Sequence, residues 1–569
     1  MQSLQQHINA IAEQFYRLGG DTAIICPGSR DVPLIVAFSR HPKIKCIPVV
    51  DERSAAFIAL GIAQQSKKPV AIICTSGTAV LNFYPAICEA FYQNIPLIVI
   101  TADRPPELID QWDGQAIRQE DIFKNHILKQ ISIPHQLQES SLATIKASVA
   151  DIISLGVKQS LPVHINVPFC EPFYPSENET YEYNLTPISH PEAQVLPVHF
   201  STSNSSDLSS ILSHIEALSL RKNAFKLLLL VGANHYGESV WEAIRNLQET
   251  KKIPVIADII SNYKHSEIHN YDFVIDAKNN RTDLAPDLII SIGGPILSKN
   301  LKQFIRNNPP KMHVHVQAIG HVGNPFGSLT SVLRCEPELF FNALLGNEIS
   351  SDAYKNAWES ASIKFNMSNS IAAIPYCELK AAYHIFKALP TESHLQLSNS
   401  MPVRYGLIFG VHKSIQVNAN RGTSGIDGCS STAVGAATIK DSRTILISGD
   451  LAFFYDSNAF WNSISLNQFR IIVFNNGGGG IFRIIDGPSK LGELNSLIEQ
   501  SHQRNAKHFA ADFNLQYFGV NREEELIECL SAFFDDAPQT KILEVFSNSE
   551  NNAKIYHQFK SLIRENASA

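Results

Sequence analysis

The chain has 569 residues, 44% of them hydrophobic and 18% charged, with a formal net charge of −7. Its length suggests three or four compact units of about 150 residues, and its acidic balance excludes a globally basic nucleic-acid-binding surface. No run of about 18 apolar residues argues for a membrane span, and nine scattered Cys without a CxxC pair argue against a zinc site or disulfide framework and suit a reducing cytoplasm.

The N-terminus, MQSLQQHINAIAEQF, lacks the basic-then-apolar plan of a signal peptide and reads as an amphipathic helix. Short runs rich in Val and Ile follow at residues 22–26, 46–50, 70–74, 96–101 and 163–167. Their nearly continuous apolarity predicts strands buried on both faces, as in a parallel sheet covered by helices. Helices are predicted over 52–66 and 78–93, which completes a βαβ series. Residues 174–209, rich in Pro, Ser, Asn and Glu, read as a linker. Further strands are expected at 226–231, 255–258, 287–292 and 313–317. Residues 346–374 have weaker periodicity and read as a second connection. The last strands are expected at 395–397, 415–418, 444–448, 471–474 and 542–545. The fold class is therefore α/β, with three doubly wound parallel-sheet domains over 1–180, 205–350 and 370–569. No short-period repeat is visible, so any relation among the three is architectural.

Two strand ends carry the most chemistry. Gly449-Asp450-Leu451 follows the strand at 444–448, and Phe474-Asn475-Asn476 ends the strand at 471–474. In open parallel sheets ligands bind just outside such ends. A carboxylate and an amide oxygen are hard ligands suited to Mg²⁺, which completes its octahedron with ligand phosphates. The following Gly477-Gly478-Gly479-Gly480 lets backbone groups approach a diphosphate, with the carbonyl of Gly478 as a third protein ligand. Glu52, in Val49-Val50-Asp51-Glu52-Arg53, sits where a buried strand meets a helix. Alone it reads as a first-turn acid favoured by the helix dipole. Beside a diphosphate-and-magnesium corner it reads as the acid that thiamine requires, a carboxyl with raised pKa that protonates the aminopyrimidine ring.

These residues resemble the thiamine-diphosphate enzymes of the pyruvate-oxidase type, with pyrimidine, middle and pyrophosphate domains in that order. More closely, the chain resembles the 2-succinyl-5-enolpyruvyl-6-hydroxy-3-cyclohexene-1-carboxylate synthases of menaquinone biosynthesis. The matching segments are Cys26-Pro-Gly-Ser-Arg30, Asp51-Glu-Arg53, Thr75-Ser-Gly-Thr-Ala79, Thr101-Ala-Asp-Arg-Pro-Pro-Glu-Leu108, Gln115-Ala-Ile-Arg-Gln119, Ser398-Asn-Ser400 and Asn420-Arg-Gly-Thr-Ser-Gly-Ile-Asp-Gly428. The middle third matches best at Gly294-Pro-Ile-Leu-Ser-Lys299.

The resemblance implies a transferase that decarboxylates 2-oxoglutarate and adds the four-carbon unit to isochorismate by conjugate addition. It implies thiamine diphosphate with Mg²⁺, or Mn²⁺ in its place, and a cytoplasmic homodimer or tetramer with active sites between subunits. Glu52 would activate the cofactor, and Asp450, Asn476 and Gly478 would hold the metal. Ser424, Gly449, Leu451 and Gly479 would line the cofactor, Ile426 would wedge it into its bent shape, and Phe482 would pack near the reacting centre or in a core. Arg30, Arg104, Arg404 and Arg421 would bind substrate carboxylates, with Ser29, Gln115, Lys299 and Ser400 completing the hydrogen bonding. Arg118 fits either a structural or a substrate role. Two residues depart from the pattern. Gly114 stands where some relatives carry a side chain such as Asn, and Asp31 places a carboxylate beside Arg30 where a small hydroxyl residue is common. The rival readings are an acetolactate-synthase-like carboligase or simple 2-oxoacid decarboxylase, for which the four arginines are too many cations, and a non-catalytic member binding a nucleotide near Gly232 and Gly293-Gly294.

Overall fold

The computed structural model describes residues 4–135, 141–171, 174, 181–188, 208–220, 225–234, 236–276, 281–365, 367–440 and 442–568. The first sheet contains β1 (Thr22–Cys26), β2 (Lys45–Pro48), β3 (Val70–Cys74), β4 (Leu97–Asp103), β5 (Gln130–Ser132) and β6 (Val163–Pro168). The second contains β7 (Leu227–Val231), β8 (Val255–Ala257), β9 (Leu288–Ile292), β10 (Met312–Val316) and β11 (Ser331–Leu333). The third contains β12 (His394–Leu397), β13 (Gln416–Ala419), β14 (Thr444–Gly449), β15 (Phe469–Asn475), β16 (Gln516–Val520) and β17 (Lys541–Phe546). Every pairing between these strands is parallel. The interior strands β1, β3, β4, β6, β7, β9 and β10 are buried along their whole length, as sheets covered on both faces require.

The first sheet runs β2-β1-β3-β4-β6-β5 and the third β13-β12-β14-β15-β17-β16, which is the same order built twice. The second runs β11-β10-β9-β7-β8. The order reverses between β1 and β3, between β7 and β9, and between β12 and β14, while β5 and β16 fold back to the edges outside β6 and β17. These reversals open the crevices where α/β sheets take ligands. The segments carrying the chemistry leave the sheets there: Gly28–Arg30 after β1, Ser398–Ser400 after β12, Gly449–Asp450 at the end of β14. Gly449 pairs with Phe474, so Asp450 and Asn476 leave neighbouring strands side by side.

Most sequence-derived elements are present with ends shifted by one or two positions, and four differences have physical causes. The helix expected over 78–93 is split into Thr78–Asn82 and Tyr84–Gln93, because Pro85 lacks the N–H that would continue the ladder. The strands β5, β11 and β16 were not expected; all three are edge strands, two of them only three residues long and the third largely exposed. Residues 346–374 are more than a connection. They form helices Asp352–Ile363 and Met367–Ala372, and Tyr354, Trp358 and Ile371 enter a core shared by the second and third sheets. Of the expected linker at 174–209, residues 175–180 and 189–207 lie outside the described residues. Residues 181–188 pack back onto the first unit, where Tyr183 donates to the Ala37 carbonyl at 2.7 Å. The N-terminal helix is Leu4–Arg17. All nine cysteines are free, and among the described residues no helix is long and apolar enough to cross a membrane.

Candidate active site

The metal corner is built from two strand ends and a glycine turn. Asp450 is buried at 2% exposure. Its Oδ2 accepts the backbone N–H of Gly477 at 2.9 Å and of Gly478 at 3.0 Å, and its Oδ1 accepts that of Leu451 at 2.7 Å. Three donors fix the carboxylate and leave lone-pair capacity for a cation. Asn476 donates its Nδ2 to Glu378 at 2.7 Å, while its Oδ1 is buried without a hydrogen-bond partner. A buried amide oxygen left unmet is costly in an empty interior and is what a cation would satisfy. Gly478 has φ +156°, and a Cβ there would press on the Glu499 carbonyl oxygen at 2.9 Å. Among the described residues no group of three His, Cys, Asp or Glu side chains converges as a metal site. An Asp, an Asn and a backbone carbonyl are the oxygen donors Mg²⁺ takes, and the residues present fit it.

The second cluster surrounds Glu52, the first residue of helix Glu52–Ser66, which Asp51 caps by accepting the Ser54 N–H at 3.2 Å. Burial raises the Glu52 pKa, helped by the Asp51 charge, while hydrogen bonds to its own backbone and from the Asn82 amide pull the other way. Cys26 and Cys74, at the ends of β1 and β3, both feel the Glu52 charge, which places the acid over the reversal point of the first sheet. Arg53 reaches across to the third unit, donating to the carbonyls of Asp427 and Tyr455 and pairing with Asp456 at 3.5 Å.

The cations are anchored rather than splayed into solvent. Arg30 is buried, donates to the Phe169 carbonyl at 2.9 Å and pairs with Glu171 at 3.2 Å. Arg104 donates to the Gly114 carbonyl at 2.6 Å and faces Asp113 at 3.1 Å. Arg404 and Arg421 converge on one loop: Arg404 donates to the Ser400 carbonyl at 2.5 Å and Arg421 to Asn399 Oδ1 at 2.8 Å. Burial lowers the pKa of both, and each arginine's charge is opposed in part by nearby acids, Asp272 for Arg404 and Asp258 with Glu89 for Arg421. Three expected site residues other than glycine hold positive φ: Gln115 at +57°, Ser400 at +75° and Ser424 at +67°. Side-chain-bearing residues in that region cost roughly 1–3 kcal/mol each, and such residues cluster at functional sites.

Residues 7–126 match the family described as thiamine pyrophosphate enzyme, N-terminal TPP binding domain. A 2-succinyl-5-enolpyruvyl-6-hydroxy-3-cyclohexene-1-carboxylate synthase of Flavobacterium psychrophilum is 39% identical over 547 residues, covering 95% of this chain and 96% of that protein. The chain belongs to this synthase family. Synthases of the same name from Cytophaga hutchinsonii and Bacteroides thetaiotaomicron are 38% and 35% identical, covering 98% and 94% of this chain and 99% and 96% of theirs. As a member of the synthase family the chain is a thiamine-diphosphate-dependent transferase.

The remaining expected residues differ in burial and contacts. Ser424, Gly449, Ile426, Leu451 and Phe482 are all part-exposed. Among the described residues neither Ile426 nor Phe482 belongs to a packed hydrophobic cluster. A Cβ on Gly479 would touch the Phe482 ring at 3.0 Å. Ser29 is exposed and shares a 2.7 Å hydrogen bond with Tyr174. Gln115 and Lys299 are also exposed, Lys299 opening helix Lys299–Asn307. Arg118 is largely solvated and pairs with Asp110 at 2.8 Å. Asp31 does not turn to Arg30. Its Oδ1 accepts the Gly28 N–H at 2.8 Å, its Oδ2 is buried without a partner, and burial pushes its pKa up to about 7. Gly114 faces open space, its carbonyl held by Arg104. Gly232 and Gly294 pack backbone against backbone, with Gly294 N–H donating to the Ala233 carbonyl at 2.7 Å, so close packing explains them without a nucleotide.

Four neighbours of the site were not singled out from sequence for a role. Glu378 opens helix Glu378–Ala388 and lies behind Asn476; burial pushes its pKa up to about 7. His502 approaches Asp450 with its Nε2 at 3.4 Å. Gln119 accepts the Gly77 N–H at 2.9 Å and donates to the Ala102 carbonyl at 2.9 Å, tying two matched segments together. Glu89 accepts the backbone N–H groups of Gly422 and Thr423, each at 2.7 Å. Of these, only Gln119 lay in a matched segment.

Proposed function

We propose that the chain uses thiamine diphosphate and Mg²⁺ to decarboxylate 2-oxoglutarate and add the resulting four-carbon carbanion equivalent to isochorismate, giving 2-succinyl-5-enolpyruvyl-6-hydroxy-3-cyclohexene-1-carboxylate for menaquinone biosynthesis. The observation that carries this reading is Asp450 beside the unpartnered Oδ1 of Asn476 at the C-terminal edge of a parallel sheet, in a chain of this family. Bound thiamine diphosphate supplies the electron sink for decarboxylation and the nucleophilic carbon equivalent for addition. Asp450, Asn476 Oδ1 and the Gly478 carbonyl would hold Mg²⁺, and Mn²⁺ suits the same donors. Glu52, its pKa raised by burial, is the acid that serves the pyrimidine ring nitrogen. Ser424, Gly449, Leu451, Gly479 and Phe482 would line the cofactor, and Ile426 would pack against it.

Arg30, Arg104, Arg404 and Arg421 bind the substrate carboxylates and stabilise charge that develops during addition, with Ser29, Gln115, Lys299 and Ser400 orienting the acids. The pyrimidine domain spans 1–180, the middle domain 205–350 and the pyrophosphate domain 370–569, each containing one sheet. The active protein is a homodimer, or a tetramer built from two such dimers, with sites between subunits. Exposed Val50, Tyr455 and Trp461 flank the Asp51–Arg53 segment and supply apolar surface for a second copy. The free cysteines suit a cytoplasmic setting.

The test is incubation of the purified protein with thiamine diphosphate, Mg²⁺ and 2-oxoglutarate, with and without isochorismate. Isochorismate should disappear only when 2-oxoglutarate is present, with an adduct of the expected mass. Carbon dioxide release from pyruvate or another oxoacid with no adduct would keep the cofactor and overturn the substrates in favour of a different carboligase.

A further inference from the structure

We infer that Glu378 is a positioning residue for the metal corner: by accepting the Asn476 amide N–H it dictates which end of that amide faces the cation. The inference rests on the metal reading of Asp450 and Asn476. An Asn side chain is nearly symmetric in shape, and turning it over exchanges an acceptor for a donor. Presented with NH₂, a divalent cation would meet the wrong end of the dipole.

Glu378 excludes that state. Its Oε2 accepts Asn476 Nδ2 at 2.7 Å and Asn552 Nδ2 at 3.3 Å, and its Oε1 accepts the Tyr405 hydroxyl at 2.9 Å. Turning the Asn476 amide over would set two acceptor oxygens against each other at the 2.7 Å position. The opposite end, Oδ1, is left buried and unpartnered on the side away from Glu378. The carboxylate is itself immobile. It begins helix Glu378–Ala388, and its backbone N–H donates to Asn552 Oδ1 at 3.0 Å. Tyr405 lies on helix Met401–Phe409 and Asn552 on helix Ser549–Ser568. Three helices therefore converge on the orientation of one amide, an outer-shell arrangement of the kind that tunes metal affinity.

A core anchor that merely packs would affect stability. An orienting group affects the metal requirement, and the experiment reads that. Thiamine diphosphate binding, followed by titration calorimetry, is measured against Mg²⁺ concentration for the full-length protein and its variants. Glu378→Leu removes the acceptor and is expected to raise the Mg²⁺ needed for half-maximal cofactor binding by about 10- to 100-fold. Glu378→Gln can still turn its oxygen to Asn476 and should stay within about threefold of wild type. Asn476→Asp sets two carboxylates face to face and should also raise the requirement. Combining it with Glu378→Gln moves the N–H donor across the same contact and should bring the requirement back to within about threefold of wild type.

A double variant no better than Asn476→Asp alone, with both folded by circular dichroism, overturns the inference even where Glu378→Leu does not fold. If Asn476→Ala weakens Mg²⁺ dependence and a folded Glu378→Leu does not, the metal reading stands and the inference alone fails. If Asn476→Ala leaves the Mg²⁺ requirement unchanged, the metal reading fails and takes the inference with it.

Discussion

Gly61 lies so close to Thr432 that a Cβ at position 61 would overlap the Thr432 carbonyl oxygen. The relationship is reciprocal, since a Cβ on Gly435 would overlap the carbonyl oxygen of Ile58. Helices Glu52–Ser66 and Cys429–Ala437 thus cross backbone to backbone, and the first begins with Glu52. In an exposed helix, replacing Gly by Ala gains about 1 kcal/mol. Here Gly61→Ala is expected to lose about 2–3 kcal/mol through overpacking and to lower the unfolding temperature. Thermal unfolding by calorimetry checks the sign, and an unchanged or higher midpoint would refute the close crossing.

Asp31 gives a pH signature. Its folded pKa is about 7 and its ordinary value 3.8, so between those values the folded state holds the extra proton. Its contribution to stability is therefore fullest below about pH 4 and is lost as pH rises towards 7. Cys26, Cys74 and Glu52 share its surroundings, and the two thiols are pushed well up by burial. Asp31→Asn keeps an acceptor for the Gly28 N–H and cannot ionise. Relative to that variant, wild type should lose on the order of 4 kcal/mol between pH 4 and pH 8. Denaturant unfolding of both proteins across that range is the measurement, and a flat difference would mean Asp31 ionises as freely folded as unfolded.

Glu89 belongs to helix Tyr84–Gln93 in the first unit, yet it holds the loop that carries Arg421 in the third. It also accepts the Thr423 hydroxyl at 2.6 Å. Glu89→Gln turns one acceptor into a donor facing backbone N–H groups. The KM for one acid substrate should rise about tenfold with kcat changed far less, a loss of roughly 1.4 kcal/mol in binding. Steady-state kinetics for both substrates decide this, and an equal fall in kcat would point to a chemical role instead.

At Gly114 no atom stands within 4 Å of an added Cβ. Gly114→Asn should therefore leave stability within about 0.5 kcal/mol of wild type. A restored amide beside Arg104 is expected to lower the KM for isochorismate about threefold, the effect of one modest hydrogen bond. Unfolding curves test the first expectation and initial rates the second.

If each site takes Glu52 from one subunit and Asp450 from its partner, two inactive variants should complement. Mixed and re-equilibrated Glu52→Gln and Asp450→Ala subunits would form hybrids with one intact site of two. About a quarter of wild-type activity should return at equal amounts, as random pairing in a twofold dimer dictates. No recovery, in subunits shown by light scattering to exchange, would place both groups on one chain.

The strands buried on both faces were legible because burial leaves a nearly unbroken apolar run, as in Ala71–Cys74 of β3 or Leu227–Leu230 of β7. The edge strand β16 was not, because Gln516, Tyr517 and Gly519 face solvent or half-face it and follow no apolar pattern. Asp450 and Asn476 were legible because their chemistry and their place at strand ends coincide. Glu378 was not: an acid at the start of a helix is ordinarily a dipole complement, and nothing local tells that Tyr405 and Asn552 will meet it from distant helices. Glu89 was hidden for the same reason, its partners lying more than 300 residues away.

The left-handed backbone at Gln115, Ser400 and Ser424 sets stability against activity. Glycine at 400 or 424 would relax the main chain and stiffen the protein against heat, while deleting a hydroxyl that the chemistry is expected to use. A laboratory lineage selected for heat tolerance alone would drift towards glycine at these positions and shed catalysis first. A lineage selected for turnover would have to keep the strain and find its robustness elsewhere, in the cores beneath the three sheets.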